Sequence, residues 1–276
     1  MKVKSPITNS QNTPPSDLLP NVLFLFPQYA HTVTTETFES MLEWAMFAGE
    51  KGLQWNWITD PGATIISLSR SQLVSMALEL EDWTHAIFID NDMGFDPFDI
   101  LKLLIEDKDI IGAQAPTKQY PLAYNAERNH IQETDTAAEV HYIGTGMMCI
   151  KREVLEHMKM HYLHELAFAM PDGFYGEQQS MWSVDLFAPI TREGHYQNSN
   201  FYLTEDFAFC QRAKWCGFEV WKHLEVKCSH TGTHVFSDDG ETKMIERYAR
   251  KLERIKKQNG HELSERLESK EGTTKS

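Results

Sequence analysis

Apolar residues along this chain follow two alternating rhythms. Residues 21–27 (NVLFLFP) are an unbroken apolar run that stops at a proline, the pattern of a parallel strand buried on both faces. Residues 34–52 then place Phe38, Leu42, Ala45 and Met46 on one helical face and close at Gly52, which predicts a helix with that face inward. Residues 53–59 read as a second strand. Residues 69–80 read as a second helix, with Leu73, Val74, Ala77 and Leu80 inward. The strongest strand signal is THAIFID, residues 84–90. It runs into NDMGFDP, after which residues 98–105 return to helical spacing and residues 108–113 (KDIIGA) to a short strand.

Strand and helix alternating at this pace predict an α/β domain built on a doubly wound, mostly parallel central sheet flanked by helices. Ligands of such sheets bind beyond the carboxyl ends of the strands, near the switch in strand order. The second half is less regular. A strand is expected within residues 140–150 around GTGMMCI, a helix starting at 152–158, a helix at 204–215 and strands at 218–221 and 224–228. The expected organisation is a leader at residues 1–20, one domain at 21–240, an amphipathic helix at 241–258 and a polar tail at 259–276.

Composition narrows the function classes. Hydrophobic residues make up 41% of 276, enough for an ordinary packed core. Twenty-six Lys and Arg against forty Asp and Glu leave a formal charge of −14. Residues 241–276 hold ten basic and seven acidic side chains, so residues 1–240 carry −17. A body this acidic argues against non-specific nucleic-acid binding and supplies carboxylates for a hard metal ion. No apolar run is long enough for a transmembrane segment, and the first residues lack a signal-peptide core. Four cysteines without CxxC or zinc-type spacing read as free thiols, which predicts a cytoplasmic protein.

Three stretches can carry chemistry. In FIDND, strand alternation puts Asp90 and Asp92 on one side where the strand ends. Two carboxylates there can hold Mn²⁺ or Mg²⁺ bridging the phosphates of a nucleotide; they equally fit a polar strand end before a turn, with Asp96 capping the next helix. In YLTEDFAFCQRA, Thr204 fits an N-cap with Glu205 and Asp206 in the first turn, where the helix dipole favours them. The same pair can act as a general base toward an acceptor hydroxyl. In CSHTGTHVF, His230 and His234 follow the strand expected at 224–228, and His230 is the better placed to aim back at the sheet edge. Arg70 and Lys118, basic residues in an acidic body, can neutralise a diphosphate or be solvated surface charges. Trp182 and Phe187 sit in a loop-rich stretch at 170–200 and fit core aromatics beneath it.

Taken in order, NVLFLFP, SLSRSQL, HAIFIDNDMGF, IIGAQAPTKQYP, GTGMMCIKREVL, LTEDFAFCQRAKWCGFEVW and SHTGTH resemble the nucleotide-sugar-dependent glycosyltransferases of GT-A fold, in the glycosyltransferase family 2-like group. The resemblance spans residues 21–236 and includes a DxD-type motif. It implies a Rossmann-like GT-A sheet, a sugar nucleotide as donor, a divalent cation, and hexosyl or pentosyl transfer to an acceptor hydroxyl. By the same resemblance, Asp90 and Asp92 face the ribose and the metal, and His230 closes the metal shell. Arg70 matches an arginine near the nucleotide, although Ser71 stands where the pattern has Asn. Lys118 falls in the matched IIGAQAPTKQYP stretch. Asp206 matches the catalytic Asp with Glu205 beside it, while Gly144 and Gly146 line the donor-sugar pocket. The resemblance also makes 170–200 an acceptor-side loop, with Trp182 and Phe187 as its stacking surfaces. Glycan, lipid-linked sugar, protein and modified nucleobase remain open as acceptors, and so does the choice between inversion and retention.

Two other readings use the same features. A nucleotidyltransferase or sugar-nucleotide pyrophosphorylase also pairs metal, carboxylates and nucleotide. Such enzymes usually carry a glycine-rich phosphate loop after the first strand, where this chain has FPQYAHT. A non-catalytic nucleotide-sugar-binding module would keep the fold without turnover.

Overall fold

A computed structural model describes residues 20–28, 31–61, 64–118, 123–126, 129–169, 183–191, 202–232 and 235–237. Chain order is β1 (Val22–Gln28), α1 (Thr35–Lys51), β2 (Trp55–Pro61), α2 (Ile66–Leu78), β3 (His85–Ile89), β4 (Met93–Phe95), α3 (Pro97–Ile105), β5 (Ile110–Ala113), β6 (Ala137–Glu139), β7 (Met147–Lys151), α4 (Arg152–Leu166), β8 (Ala167–Phe168), β9 (Ser183–Val184), α5 (Glu205–Trp215), β10 (Val220–His223), β11 (Cys228–Thr231) and β12 (Val235–Ser237). The helix expected at 241–258, the tail at 259–276, His234 and Trp182 lie outside the described residues.

Seven strands form the central sheet in the order β2-β1-β3-β7-β5-β10-β6. β1 lies parallel to β2 and β3, and β10 parallel to β5. β7 runs antiparallel between β3 and β5, and β6 closes the edge antiparallel to β10. Five of the seven strands therefore share one direction, consistent with the expected Rossmann-like GT-A type of α/β sheet. A smaller sheet has the order β12-β11-β4, and its strand β4 begins four residues after the end of β3.

Alternate residues of each strand feed two cores, one on each face. Leu23, Leu25 and Phe88 pack with Leu73, Val74, Leu155 and Phe209, which puts α2, α4 and α5 on one side. Phe24, Ile87 and Ile89 pack with Trp44, Ile100 and Leu103, which puts α1 and α3 on the other. Both faces of β1 and β3 are covered, which is why their sequences are continuously apolar. Among the described residues, no helix is long and apolar enough to cross a membrane.

Helix α1 overturns one expectation. Its ends are as the sequence indicates: the Thr34 side chain accepts from the Thr37 amide, and Gly52 closes the helix at φ 67°. Its inward face is the opposite one. Thr37, Ser40, Trp44 and Ala48 are buried, while Phe38, Leu42 and Met46 are exposed. Ser40 is inside because its Oγ accepts the Phe95 amide of β4 at 2.8 Å, and Trp44 meets the Phe24 ring edge-on. The inward face thus buries Trp44 and Ala48 and pairs a strand amide that would cost about 1–3 kcal/mol if left unpaired.

Candidate active site

The acidic motif is built on a turn. β3 ends at Ile89, and the Met93 amide donates to the Asp90 carbonyl at 3.2 Å across Asn91 and Asp92. Strand alternation therefore does not carry Asp92 to its place, as the sequence suggests; a tight turn does. The Asn91 Nδ2 donates to the Thr32 carbonyl, and its own carbonyl accepts the Thr34 amide, which pins the turn to the start of α1. Asp96 caps α3 by accepting the Phe98 amide at 2.9 Å, with Pro97 in the first helical position.

Asp90 and Asp92 take different partners. Asp90 accepts from Arg70 Nη2 at 3.0 Å. Arg70 Nη1 reaches the other carboxylate pair, donating to Glu205 Oε1 at 3.2 Å and to Asp206 Oδ1. Arg70 is only 3% exposed, so it is not the solvated charge its sequence context also allows. Burial alone would weaken its hold on a proton, but Asp206, Asp90 and Glu205 outweigh that and leave it more firmly charged than an ordinary arginine. Asp206 Oδ1 also accepts from the buried Thr145 hydroxyl at 2.6 Å. Glu205 and Asp206 open α5 as expected, and Thr204 occupies the N-cap position without a side-chain capping bond.

Asp92 faces His230 and Lys118. His230 belongs to β11, which pairs antiparallel with β4 so that His230 opposes Met93. The Thr231 amide donates to the Asp92 carbonyl at 2.8 Å. His230 thus lies inside a strand, not beyond the end of one expected at 224–228. Its Nδ1 lies 2.9 Å from the Pro116 carbonyl, which can only accept, so Nδ1 carries the hydrogen. Its Nε2 then faces Asp92 Oδ1 at 3.2 Å. The lone pairs of Nε2 and Oδ1 then face each other, an arrangement that a cation between them would relieve. Lys118 Nζ pairs with the other oxygen of Asp92. Burial would raise the Asp92 carboxyl, but His230 and Lys118 hold it below the usual range.

The two glycines have distinct neighbours. A side chain at Gly146 would press on the Asp90 carboxylate, and one at Gly144 would collide with the Asn125 side chain. The Asp90 amide donates to the Gly146 carbonyl at 3.0 Å, so the loop before β7 holds the acidic turn directly. Phe187 is fully buried and stacks on Phe209 at 4.5 Å, which makes it a core aromatic and not a sugar platform. Sequence reasoning does not single out Thr145 or the Pro116 carbonyl; the one local signal is a hydroxyl residue between two glycines.

Among the described residues, the carboxylates of Asp90, Asp92, Glu205 and Asp206 pair with two side chains of fixed charge, Arg70 and Lys118. Asp92 Oδ1 and His230 Nε2 are the groups that could hold a divalent cation here, while Asp90, the third expected ligand, pairs with Arg70. The imidazole favours Mn²⁺ over Mg²⁺.

No family model and no curated protein matches the chain. Among solved structures it is similar to A197 from STIV, at 16% identity and TM-score 0.43, over 77% of this chain and 86% of that one. It is also similar to a glycosyltransferase involved in the glycosylation of the major capsid of PBCV-1, at 14% identity and TM-score 0.31. That likeness covers 51% of this chain and 65% of the other. These scores carry no weight for activity, and the functional reading rests on the site.

Proposed function

We propose that the protein is a metal-dependent glycosyltransferase, moving a hexosyl or pentosyl group from a nucleoside-diphosphate sugar to an acceptor hydroxyl. The observation that supports this most is the joining of two units at one sheet edge. Asp92 with His230 and Lys118 forms the first; Asp206 with Arg70 and Thr145 forms the second; Asp90 stands between them through Arg70.

The first unit suits the donor. Asp92 Oδ1 and His230 Nε2 would hold Mn²⁺ or Mg²⁺, which supplies Lewis-acid stabilisation of charge on a departing diphosphate. Lys118, with its side chain 38% exposed, is placed to take part of that charge. Gly146 keeps side-chain bulk away from Asp90, since a Cβ there would sit 3.3 Å from Oδ2, and the carboxylate would meet a ribose or sugar hydroxyl.

The second unit suits the acceptor. Both contacts on Asp206 fall on Oδ1, and we assign proton acceptance to Oδ2. The acceptor oxygen bonds to the anomeric carbon, the bond from that carbon to the diphosphate oxygen breaks, and the hydroxyl proton passes to Asp206. Arg70 and Thr145 fix the carboxylate so that little reorganisation is needed. This direct transfer inverts the anomeric carbon.

A thermal-shift series with nucleoside diphosphates, with and without Mn²⁺, tests the donor half. The expected result is a rise in Tm that needs both nucleotide and metal and disappears in Asp92→Ala. Equal stabilisation in chelator, or none with any nucleotide, would overturn the reading.

A further inference from the structure

At the far end of α5 from Asp206, α4 presents His157 and His161 one helical turn apart. Their rings lie nearly parallel, 14° between planes and 6.4 Å between centroids, and both are exposed. Cys216, the half-buried C-cap of α5, completes a triad whose ligand atoms all lie within 4.8 Å of one another. We propose that these three side chains form a second metal site, for Zn²⁺ or a similar late transition metal, separate from the sheet-edge site and independent of the transferase reading.

Ligand type and spacing both support this. Two imidazoles at i and i+4 on a helix converge on one point, and a thiolate is the donor that most favours Zn²⁺ over Mg²⁺ or Mn²⁺. Bonds of about 2.0–2.1 Å to nitrogen and about 2.3 Å to sulfur bring tetrahedral ligand atoms to roughly 3.5 Å apart. Small χ adjustments of two exposed histidines close that gap.

The backbone around the triad is already held. The Tyr162 hydroxyl donates to the Arg212 carbonyl at 3.3 Å, tying α4 to the last turn of α5. Gly217 then turns the chain at φ 91°, and Phe218 packs edge-on to His157 at 5.3 Å. Burial keeps the Cys216 thiol protonated beyond its usual range, so binding replaces S–H by S–metal and releases one proton to solvent. Water fills the fourth position. An 11-residue helix is about 16 Å long, so the metal would staple α4 to one end of the helix whose other end carries Asp206.

Co²⁺ titration of the full chain reads this site alone, because thiolate-to-cobalt charge-transfer absorption requires a cysteine ligand. We expect a band that saturates at one Co²⁺ per chain, yields to Zn²⁺, vanishes in Cys216→Ser and persists in Asp92→Ala. The His157→Gln/His161→Gln double variant should lose stoichiometric binding. Zn²⁺ should raise the Tm of the parent protein but not of Cys216→Ser. Absence of the band in excess Co²⁺, its survival in Cys216→Ser, or unchanged affinity in the double histidine variant would overturn the site. Loss of transferase activity in Asp92→Ala with the band intact would show the two sites to be separate.

Discussion

Arg70 is the residue on which most of the candidate site depends, because one guanidinium serves Asp90, Glu205 and Asp206 together. Replacing it with Ala leaves three neighbouring carboxylates with no counter-ion among the described residues. The partners are about a fifth to a quarter exposed, so water recovers part of the loss, and we expect destabilisation of about 2 kcal/mol with activity lost, measured by urea denaturation and product assay. Asp206→Asn should behave differently: turnover falls while nucleotide affinity holds, as equilibrium binding and single-turnover assays can show. A variant that loses only nucleotide affinity would contradict the assigned role. These carboxylates were legible in the sequence because Asp90, Asp92, Glu205 and Asp206 each sit where a regular element stops or starts. The sharing of Arg70 by Asp90, Glu205 and Asp206 is not legible there, since residue 70 and residue 206 meet only through the folded sheet.

At the scale of elements, β1 and β3 could be read because both faces of each are covered, leaving no polar alternation to confuse the pattern. The inward face of α1 is not legible in the sequence, for an equally physical reason. Two stripes run along it, Phe38-Leu42-Met46 and Thr37-Ser40-Trp44-Ala48, and hydropathy favours the wrong one. The deciding contact, Ser40 with the Phe95 amide, lies in β4, a three-residue strand too short to leave a periodic signal. Phe38→Ser should therefore change the unfolding free energy by no more than about 0.5 kcal/mol. Trp44→Ala should cost about 3–5 kcal/mol. Denaturation midpoints in the opposite order would restore the face read from hydropathy. His230 was found by type, but its strand was displaced, because the pairing of β11 with β4 joins stretches far apart in sequence.

Across the whole molecule, burial and charge set how the fold responds to pH and to thiol reagents. Burial lowers the His223 imidazole, whose Nδ1 accepts the Glu225 and Val226 amides, and burial with Lys151 lowers His85. Folded pKa values below the unfolded value mean that the unfolded chain takes up protons the native one refuses. The stability from these two groups is full above about pH 6.5 and is lost as pH falls through their lower folded values. Urea midpoints should drop on acidification, and the drop should be smaller in His223→Gln. Burial also pushes the Cys149 and Cys210 thiols up to about 12, so a thiol reagent at neutral pH should leave both unreacted until the protein unfolds.

On the proposed function, Asp92 and His230 support the cleavage of a sugar nucleotide with a divalent cation. Its most direct test is the release of nucleoside diphosphate from a panel of sugar nucleotides, supplied with mixed hydroxyl acceptors, by parent protein and Asp92→Ala. We expect release from at least one donor in Mn²⁺, abolished by chelator and by Asp92→Ala while circular dichroism stays native. Undiminished release in chelator, or no release from any donor in the presence of Mn²⁺, would contradict it.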